Sequence, residues 1–270
     1  MKTTTLLFAA LVLAACQPPA ETPAPADAPF PNGTLLDLTY AYDAETIYWP
    51  TASGFEIMSD FQGMTEGGYY YEANTFRTAE HGGTHLDAPI HFAENRHTTD
   101  EIPLDRLVGE AVVVDVAAQA ADNPDYLVSV ADFEQWEATH GRLPDGIIVL
   151  IRTGYGQYWP DRVQYMGTDE RGPEAVAKLH FPGIAPEAAQ WLVENRSLKA
   201  IGLDTPSIDY GQSQLFETHR ILFKENIPAF ENVANLDQLP ETGFSVIALP
   251  MKIKGGSGGP LRIIAIVGGN

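Results

Sequence analysis

The residues His81-Gly82-Gly83-Thr84-His85-Leu86-Asp87-Ala88-Pro89-Ile90-His91 place three imidazoles and one carboxylate within eleven positions. All four of these side chains occupy odd positions. An extended chain, whose side chains alternate with a period of two, would project them from one face. A helix fits worse because it would turn Asp87 away from the histidines, and because glycine and proline oppose helix formation. The stretch therefore predicts a strand or a strand-like loop with one polar face.

This polar face has the composition of a metal site. Imidazole nitrogens and carboxylate oxygens are ligands for Zn²⁺ and similar divalent ions. A single histidine is more often a core or surface residue than a ligand. Here, however, three of the seven histidines in the chain share their register with an aspartate, and glycines between them let a backbone approach closely. We interpret the stretch as a divalent-metal site of the kind that hydrolytic enzymes use.

Apolar and alternating runs elsewhere predict strands interleaved with helices. The predicted strands cover residues 35–40, 69–79, 111–116, 147–153, 198–204, 244–252 and 261–267. The predicted helices cover residues 129–139, 186–195 and 212–224, the first with a capping box formed by Ser129 and Asp132. The glycine-rich residues 255–259 lack the Lys-Ser/Thr end of a phosphate-binding loop and predict a connection between two strands. This pattern indicates an α/β domain with a mixed, twisted sheet.

The first residues have the pattern of a bacterial lipoprotein leader. Lys2 precedes an apolar run of ten residues that ends in Leu13-Ala14-Ala15-Cys16. Such a run is too short for the roughly 20 residues of a membrane-spanning helix. We predict a signal peptide over residues 1–15 and lipidation of Cys16; the alternative is an ordinary secretory signal with an incidental cysteine. Because Cys16 is the only cysteine, disulfides and a cysteine nucleophile are excluded.

Composition separates a tether from the domain that follows. Six prolines fall between positions 17 and 31, which predicts a semi-extended tether over residues 16–31. Residues 32–270 remain for one domain with a large core. The formal net charge of -20 excludes nucleic-acid binding, which needs a basic face. The same charge disfavours electrostatic docking on anionic lipid, so we expect membrane association through the lipid anchor alone.

Several motifs resemble those of the cyclase-type metal-dependent hydrolases. The pattern His-x-Gly-Thr-His-x-Asp-x-Pro-x-His at residues 81–91 is similar to the family's signature. Supporting similarities are Trp49-Pro50, Phe181-Pro182-Gly183-Ile184, Gly202-Leu203-Asp204-Thr205-Pro206-Ser207, Thr218-His219-Arg220, Phe230-Glu231-Asn232-Val233 and Asn235-Leu236-Asp237. The resemblance covers the chain from residue 35 to its C-terminus. It implies a swivelling β/β/α fold, a small-molecule substrate and a homo-oligomer, either a dimer or a tetramer.

The resemblance also implies a ligand set. His81, His85 and Asp87 would hold a first divalent metal. His219 and Glu231 would complete a second site, and Asp87 and Glu231 would bridge the two, since a carboxylate offers two oxygens. The spacing leaves open whether one or two ions bind and whether the metal is Zn or Mn.

Three more residues are assigned near this centre. His91 would donate and accept protons, although the spacing also allows it to be a ligand. Trp49 would stack on a planar substrate, with a buried core position as the rival interpretation. His180 would line the pocket, and the alternative is a turn residue packed under the following helix.

The expected activity is hydrolysis of an amide C–N bond, in an arylformamide or a cyclic amide. The enzyme would be tethered to a membrane and face the periplasm. The same site would serve a lactone or another ester, because a metal-activated water can attack either bond. A metal-dependent solute-binding lipoprotein would share the ligands without turnover.

Overall fold

Strands and helices alternate along residues 32–268, the part of the chain that the computed structural model describes. The strands are β1 (Thr34–Asp37), β2 (Glu56–Met64), β3 (Tyr70–Arg77), β4 (His85–Asp87), β5 (Val108–Asp115), β6 (Leu127–Val128), β7 (Ile147–Arg152), β8 (Gly183–Ile184), β9 (Leu198–Leu203), β10 (Ala229–Glu231), β11 (Phe244–Pro250) and β12 (Gly258–Val267). The helices are α1 (Leu104–Leu107), α2 (Ala117–Ala120), α3 (Val130–His140), α4 (Arg162–Met166), α5 (Pro173–Val176), α6 (Pro186–Asn195) and α7 (Glu217–Lys224). Short 3₁₀ helices cover Pro89–His91, Tyr155–Tyr158 and Leu236–Gln238. Each strand predicted from the sequence is present, with its ends shifted by a few residues.

The large sheet closes on itself. Its hydrogen-bonded order is β1-β12-β11-β5-β7-β9-β10-β4, and β4 also pairs with β12. Strand β12 closes the sheet. One edge of β12 pairs with β11; the other edge pairs with β4 through residues 258–260 and with β1 through residues 264–267. The pairs β5–β7, β7–β9 and β9–β10 are parallel, and the remaining pairs in this sheet are antiparallel. The predicted α/β class with a mixed sheet is therefore confirmed, and the sheet forms a barrel.

Alternate residues of the parallel strands fill two separate cores. Val113, Ile148 and Leu150 belong to the core inside the barrel. Val112 and Val149 belong to the core outside it, which also contains the buried side chains of α3 and α6. The period of two explains the alternation. Because both faces are covered, these strands are continuous apolar runs in the sequence.

The longer helices begin and end at recognisable residues. The Ser129 N–H donates to the Asp132 carboxylate at 2.7 Å, as a capping box requires, and Gly141 ends α3 with a φ of 88°. Helix α7 begins later than the sequence predicts, because Phe216 directly before it has a left-handed φ of 48°. His219 therefore lies in the first turn of α7, where backbone N–H groups have no acceptor within the helix.

Strands β2 and β3 form an antiparallel hairpin, called here the arm, that is not part of the barrel sheet. Most residues of both strands are exposed, including Ile57, Phe61, Met64 and Phe76. The predicted strand over residues 69–79 corresponds to β3. The sequence pattern does not predict β2, because a strand exposed on both faces needs no apolar alternation.

The predictions for the N-terminal region lie outside the described residues. They are the signal peptide over residues 1–15, the lipidated Cys16 and the tether over residues 16–31; residues 269 and 270 also lie outside. Within residues 32–268, no helix has both the length and the hydropathy that crossing a bilayer requires.

Candidate metal centre

Strand β4 carries the middle of the histidine-rich stretch. His85 and Asp87 lie two residues apart and project from one face, while Leu86 between them packs in the barrel core. Only these three residues are strand. The prediction of one extended face over residues 81–91 is therefore wrong at both ends, where a bend before β4 and a 3₁₀ helix after it replace the alternation.

Two glycines let the chain bend just before β4. Gly82 has a φ of 150° and Gly83 a φ of 57°. A Cβ at Gly82 would lie 2.0 Å from the Tyr48 ring, and one at Gly83 would lie 2.7 Å from the Tyr42 ring. Only glycine fits these positions, and the bend returns His81 to the face of β4.

His81 and His91 meet beside Asp87. His81 Nδ1 lies 2.7 Å from Asp87 Oδ1, and His91 Nε2 lies 3.9 Å from Asp87 Oδ2. The two imidazole rings stack with centroids 3.9 Å apart and an angle of 18° between their planes. His91 reaches this position from the 3₁₀ helix that follows β4. All three histidines of the stretch thus gather around the Asp87 carboxylate.

The second pair of predicted ligands comes from α7 and β10. Strand β10 is an antiparallel neighbour of β4 and places Glu231 opposite His85, with 3.4 Å between Glu231 Oε2 and His85 Nε2. His219 Nε2 lies 3.2 Å from Glu231 Oε1 and 3.3 Å from Asp87 Oδ2. The structure thus brings all five predicted metal ligands to one place.

Hydrogen bonds fix the ring nitrogens that point away from the cluster. His85 Nδ1 lies 2.9 Å from the carbonyl oxygen of Gly83. Because that oxygen can only accept, Nδ1 carries the proton. His219 Nδ1 lies 2.5 Å from Asp209 Oδ2, a carboxylate that assigns the proton in the same way. In both rings Nε2 is therefore the nitrogen left for a metal, and it faces the two ligand carboxylates.

Asp209 has a second role that the sequence analysis does not reveal. Its Oδ1 accepts from the Thr218 N–H and its Oδ2 from the His219 N–H, each at 3.2 Å. Asp209 therefore accepts hydrogen bonds from two backbone N–H groups in the first turn of α7, which the helix itself leaves without acceptors. No local pattern marks this contact, because it joins a loop residue to a helix that begins further along the chain.

The buried polar atoms of the cluster fit a cation. His85 Nε2 is enclosed and makes no hydrogen bond within the described residues. Asp87 and Glu231 are both buried, and their close ionic partners within residues 32–268 are histidines, with no lysine or arginine. Two buried carboxylates side by side are costly without positive charge. This donor set therefore suits a divalent ion.

The direction of the pKa shifts agrees with this interpretation. Burial lowers the pKa of His219, but hydrogen bonds with Asp209 and the two ligand carboxylates outweigh it and raise that pKa well above its usual value. Burial likewise opposes a charged His85, yet Asp87 and Glu231 raise its pKa. Burial and the charge of Asp87 raise the pKa of Glu231. The cluster thus holds positive charge strongly, and a metal ion would replace those protons.

The donors fall into two sets that share one carboxylate. The first set is His81, His85 and Asp87, and the second is Asp87, His219 and Glu231. Within each set the ligand atoms lie within 4.8 Å of one another. Mixed imidazole and carboxylate donors suit Zn²⁺ and Mn²⁺, and the two oxygens of Asp87 let it serve both sets.

His91 belongs to neither donor set. Burial lowers its pKa to about 4, so its imidazole is neutral at pH 7 and can accept a proton. Its side chain keeps 30% of its surface exposed and lines the cavity over the cluster. His91 thus lies beside the donors at the edge of the cavity.

A cavity of about 260 Å³ adjoins the cluster. Apolar and aromatic side chains form its walls: Ile47, Trp49, Phe92, Pro206 and Phe216. Its lining, within the described residues, contains no lysine or arginine. Such a cavity suits a small, flat and uncharged molecule.

Of the two residues predicted to contact substrate, the structure places only Trp49 in this cavity. Its ring packs edge-on against Phe181 and Phe216, at 6.4 and 6.3 Å between centroids, so it is both a cavity wall and part of an aromatic cluster. His180 lies outside the cavity lining and pairs through Nδ1 with Asp125 at 2.9 Å. The prediction for His180 is corrected, because the next residue, Phe181, takes the buried position.

Two cavity residues have no sequence signal. Phe92 directly follows the histidine-rich stretch, and its ring lies 4.6 Å from the His219 ring. Phe216 lies 5.1 Å from Phe92. Isolated phenylalanines are ordinary core residues, so only the fold shows that these two line a cavity beside the ligands.

Comparison with known proteins gives a consistent family. Residues 36–210 match the family model described as a putative cyclase. The chain is 32% identical over 208 residues to isatin hydrolase of Roseibium aggregatum, a match that covers 74% of this chain and 76% of that protein. It is 28% identical over 231 residues to kynurenine formamidase of Salinibacter ruber, covering 85% of this chain and 96% of that protein. Among solved structures, isatin hydrolase A from Ralstonia solanacearum matches with a TM-score of 0.78 and 33% identity, covering 88% of this chain and 93% of that chain.

These matches bear on fold, class and cofactor. The similarity to solved structures confirms the fold that the resemblance implies. The relatives are hydrolases, so the protein is an enzyme of that class, and the His/Asp/Glu cluster fits the divalent metal expected for it. The chain belongs to the cyclase family of metal-dependent hydrolases.

Proposed function

We propose that this enzyme hydrolyses the C–N bond of a small, uncharged aromatic amide, either an arylformamide or a cyclic amide. The observation that carries the proposal is the cavity, in which aromatic walls face a cluster of metal-type donors. The similarity to proteins named isatin hydrolase and kynurenine formamidase supports an amide substrate.

The ligand set holds the reaction centre. A divalent ion bound by His81, His85, Asp87, His219 and Glu231 would lower the pKa of its water and polarise a substrate carbonyl. Around it, the apolar walls exclude bulk water and hold a flat substrate in one orientation. The absence of a lysine or arginine from the described lining favours a neutral amide over a substrate with a free carboxylate.

His91 moves the proton. Burial keeps its imidazole neutral at neutral pH, so the unprotonated ring nitrogen accepts the proton that the attacking water releases. It then donates the proton to the leaving nitrogen as the C–N bond breaks. Stacking against His81 holds the ring in place during both transfers.

A substrate panel with metal-depleted and reconstituted enzyme tests this function. The panel contains isatin, formanilide, a lactone of similar size and phenyl acetate, each assayed after addition of Zn²⁺ or Mn²⁺. We expect turnover of an amide only after metal is restored. Faster turnover of the lactone or ester than of either amide would assign ester hydrolysis instead. Binding of the amides without any turnover would contradict the proposal.

We also propose that the mature protein is a periplasm-facing lipoprotein anchored through Cys16. The apolar run that ends at Cys16 and the proline-rich residues after it support this location. Cys16→Ser should move the protein from the membrane fraction to the soluble fraction. Recovery of wild-type protein in the cytoplasm with its leader attached would contradict the proposal.

Self-association into a dimer or tetramer is proposed from the family resemblance and from the arm. A two-stranded hairpin is marginally stable alone, and exposed apolar patches mark interaction surfaces. Ile57 and Phe61 are 63% and 42% exposed. Sedimentation equilibrium should show an oligomer for the wild type and a monomer for the Ile57→Ser/Phe61→Ser variant. A monomeric wild type would rule out the proposal.

A further inference from the structure

The glycine-rich residues 255–259, which end a loop and begin β12, lie against the outer edge of His81. Ser257 Oγ is 3.0 Å from His81 Nε2. The Ser257 hydroxyl donates to Glu80 Oε2 at 2.6 Å, and the Ser257 N–H donates to the same oxygen at 3.1 Å. The loop thus joins Glu80 to the nitrogen of His81 that faces away from the cluster.

The direction of these hydrogen bonds assigns the proton on His81. A carboxylate can only accept, so the Ser257 hydroxyl proton points to Glu80. Ser257 Oγ then offers lone pairs to His81, and Nε2 must carry a proton to use them. Nδ1 is then the nitrogen left for a metal, and it faces Asp87 Oδ1 at 2.7 Å. A metal ion bound there would replace any proton on Nδ1.

The glycines permit the close approach of the loop. A Cβ at Gly258 would lie 2.5 Å from His81 Cε1 and 2.7 Å from the carbonyl oxygen of Leu86. A Cβ at Gly256 would lie 2.8 Å from Glu80 Oε1. Side chains at these two positions would therefore push against the ligand ring and against its supporting carboxylate.

The loop is itself held in place by the residues around the metal centre. The Ala88 N–H donates to the Ser257 carbonyl at 2.8 Å, and the Thr99 N–H donates to the Gly256 carbonyl at 2.9 Å. Gly258 pairs with Asp87 in the β12–β4 ladder. Ser257 is therefore fixed relative to the strand that carries the ligands.

We propose that Ser257 and Glu80 are positioning residues, which set the protonated nitrogen and the ring orientation of His81 for metal binding. The proposal rests on the metal site of the proposed function. The Gly83 carbonyl positions His85 in the same way, and Asp209 positions His219. His81 is the partly exposed ligand of the three, with 24% of its side-chain surface accessible, so it depends most on a partner outside the cluster.

Metal affinity measured in two backgrounds tests the proposal. Ser257→Ala, Ser257→Thr and Glu80→Gln are made in the wild type and in His81→Ala. The dissociation constant for Zn²⁺ is measured by competition with a chromophoric chelator, and the visible spectrum is recorded with Co²⁺. Thermal unfolding of the metal-free protein reports on the fold. Ser59→Ala, a serine on the exposed arm, is the matched control.

We expect Ser257→Ala to weaken Zn²⁺ binding by about 10- to 100-fold and to change the Co²⁺ spectrum, while Ser257→Thr restores both because it keeps the hydroxyl. Glu80→Gln should weaken binding less and add nothing to Ser257→Ala. Neither change should have an effect in the His81→Ala background. If Ser257→Ala does not fold, Glu80→Gln tests the proposal, again by comparing its effect in the wild type with its effect in His81→Ala.

Three results would overturn the proposal. Wild-type affinity and spectrum in Ser257→Ala, with weakened binding in His81→Ala, would remove the positioning role alone. An equal loss with and without His81 would show that the loop acts through general structure. Wild-type Zn²⁺ affinity in His81→Ala would remove the proposed metal site together with this role.

Discussion

His81 and His91 keep 24% and 30% of their side-chain surfaces exposed, whereas His219 and Glu231, on the other side of Asp87, keep 3% and 5%. The exposed pair belongs to the motif half of the centre, residues 81–91, which is a single stretch of chain. The buried pair forms the distal half, brought in by a helix and a separate strand. The difference teaches that the exposed histidines beside the cavity come from the motif half alone, whereas both halves build the buried frame that fixes the charge, since His85 and Asp87 are also only 2% exposed.

The family model covers only one of the two halves. The matched residues 36–210 contain the whole motif half but stop before His219 and Glu231. The link between the halves is structural, because β10 pairs with β4 in a register that sets Glu231 opposite His85. Substitutions in the two halves should therefore have distinguishable effects on metal retention, proton transfer and substrate contact.

The largest effect is expected where the halves meet. His85→Ala should lose bound metal and activity together, because His85 Nε2 faces carboxylates of both halves, Asp87 and Glu231. Metal content by mass spectrometry and turnover of the best amide measure this. His140→Ala, which removes a ring that pairs with Glu241 at the surface, is the control. Full activity with unchanged metal content in His85→Ala would show that His85 is not a ligand that joins the two halves.

Glu231→Gln tests the distal half with almost no change in shape. Loss of the charge that balances the cation should weaken metal binding and strongly reduce hydrolysis, while thermal unfolding stays cooperative. Glu225→Gln, at an exposed position just after α7, is the matched control. Normal metal content and normal turnover in Glu231→Gln would leave a site built from the motif half alone.

His91→Asn tests the exposed side of the motif half. General acid–base groups contribute about 10² to 10⁴ in rate, so kcat should fall by a factor in that range while most of the metal is retained. The measurement pairs kcat with metal content on the same preparation. If the metal is lost instead, His91 is a ligand.

Asp209→Asn tests how the distal half holds the His219 ring. The amide has one acceptor oxygen instead of two, so it cannot accept from His219 Nδ1 and from the Thr218 N–H together as the carboxylate does, and metal affinity should fall by about 10- to 100-fold. The lost helix cap should lower the free energy of unfolding by about 0.5 to 2 kcal/mol. Chelator competition and urea unfolding measure the two effects. Lower stability with unchanged affinity would make Asp209 a helix cap only.

The smallest effect is expected at the cavity wall. Trp49→Leu removes an aromatic contact worth about 0.5 to 1.5 kcal/mol, so KM for an aromatic amide should rise several-fold with little change in kcat. An aliphatic formamide serves as the control substrate. An equal rise in KM for both substrates would show that Trp49 supports the cavity without stacking on the substrate.

The strands in the barrel sheet could be predicted where apolar residues run together, as in residues 147–152, because burial on both faces leaves a continuous apolar pattern. Strand β4 is predicted only within a longer extended stretch over residues 81–91, and the alternation does not show that just three of these residues form a strand. Strand β2 could not be predicted, because it covers no core. Helix α7 is predicted, but its start depends on the left-handed Phe216, for which the sequence carries no cue.

The sequence by itself determined the chemistry of the centre: which imidazoles and carboxylates are available, and that glycines surround them. Side-chain chemistry is a local property and can be read residue by residue. Only the tertiary structure decided which of these groups meet. The bends at Gly82 and Gly83, the pairing of Glu231 with His85 and the approach of Ser257 all depend on contacts between distant segments. Those distances arise from strand register and packing across the whole barrel, which no single stretch of sequence specifies.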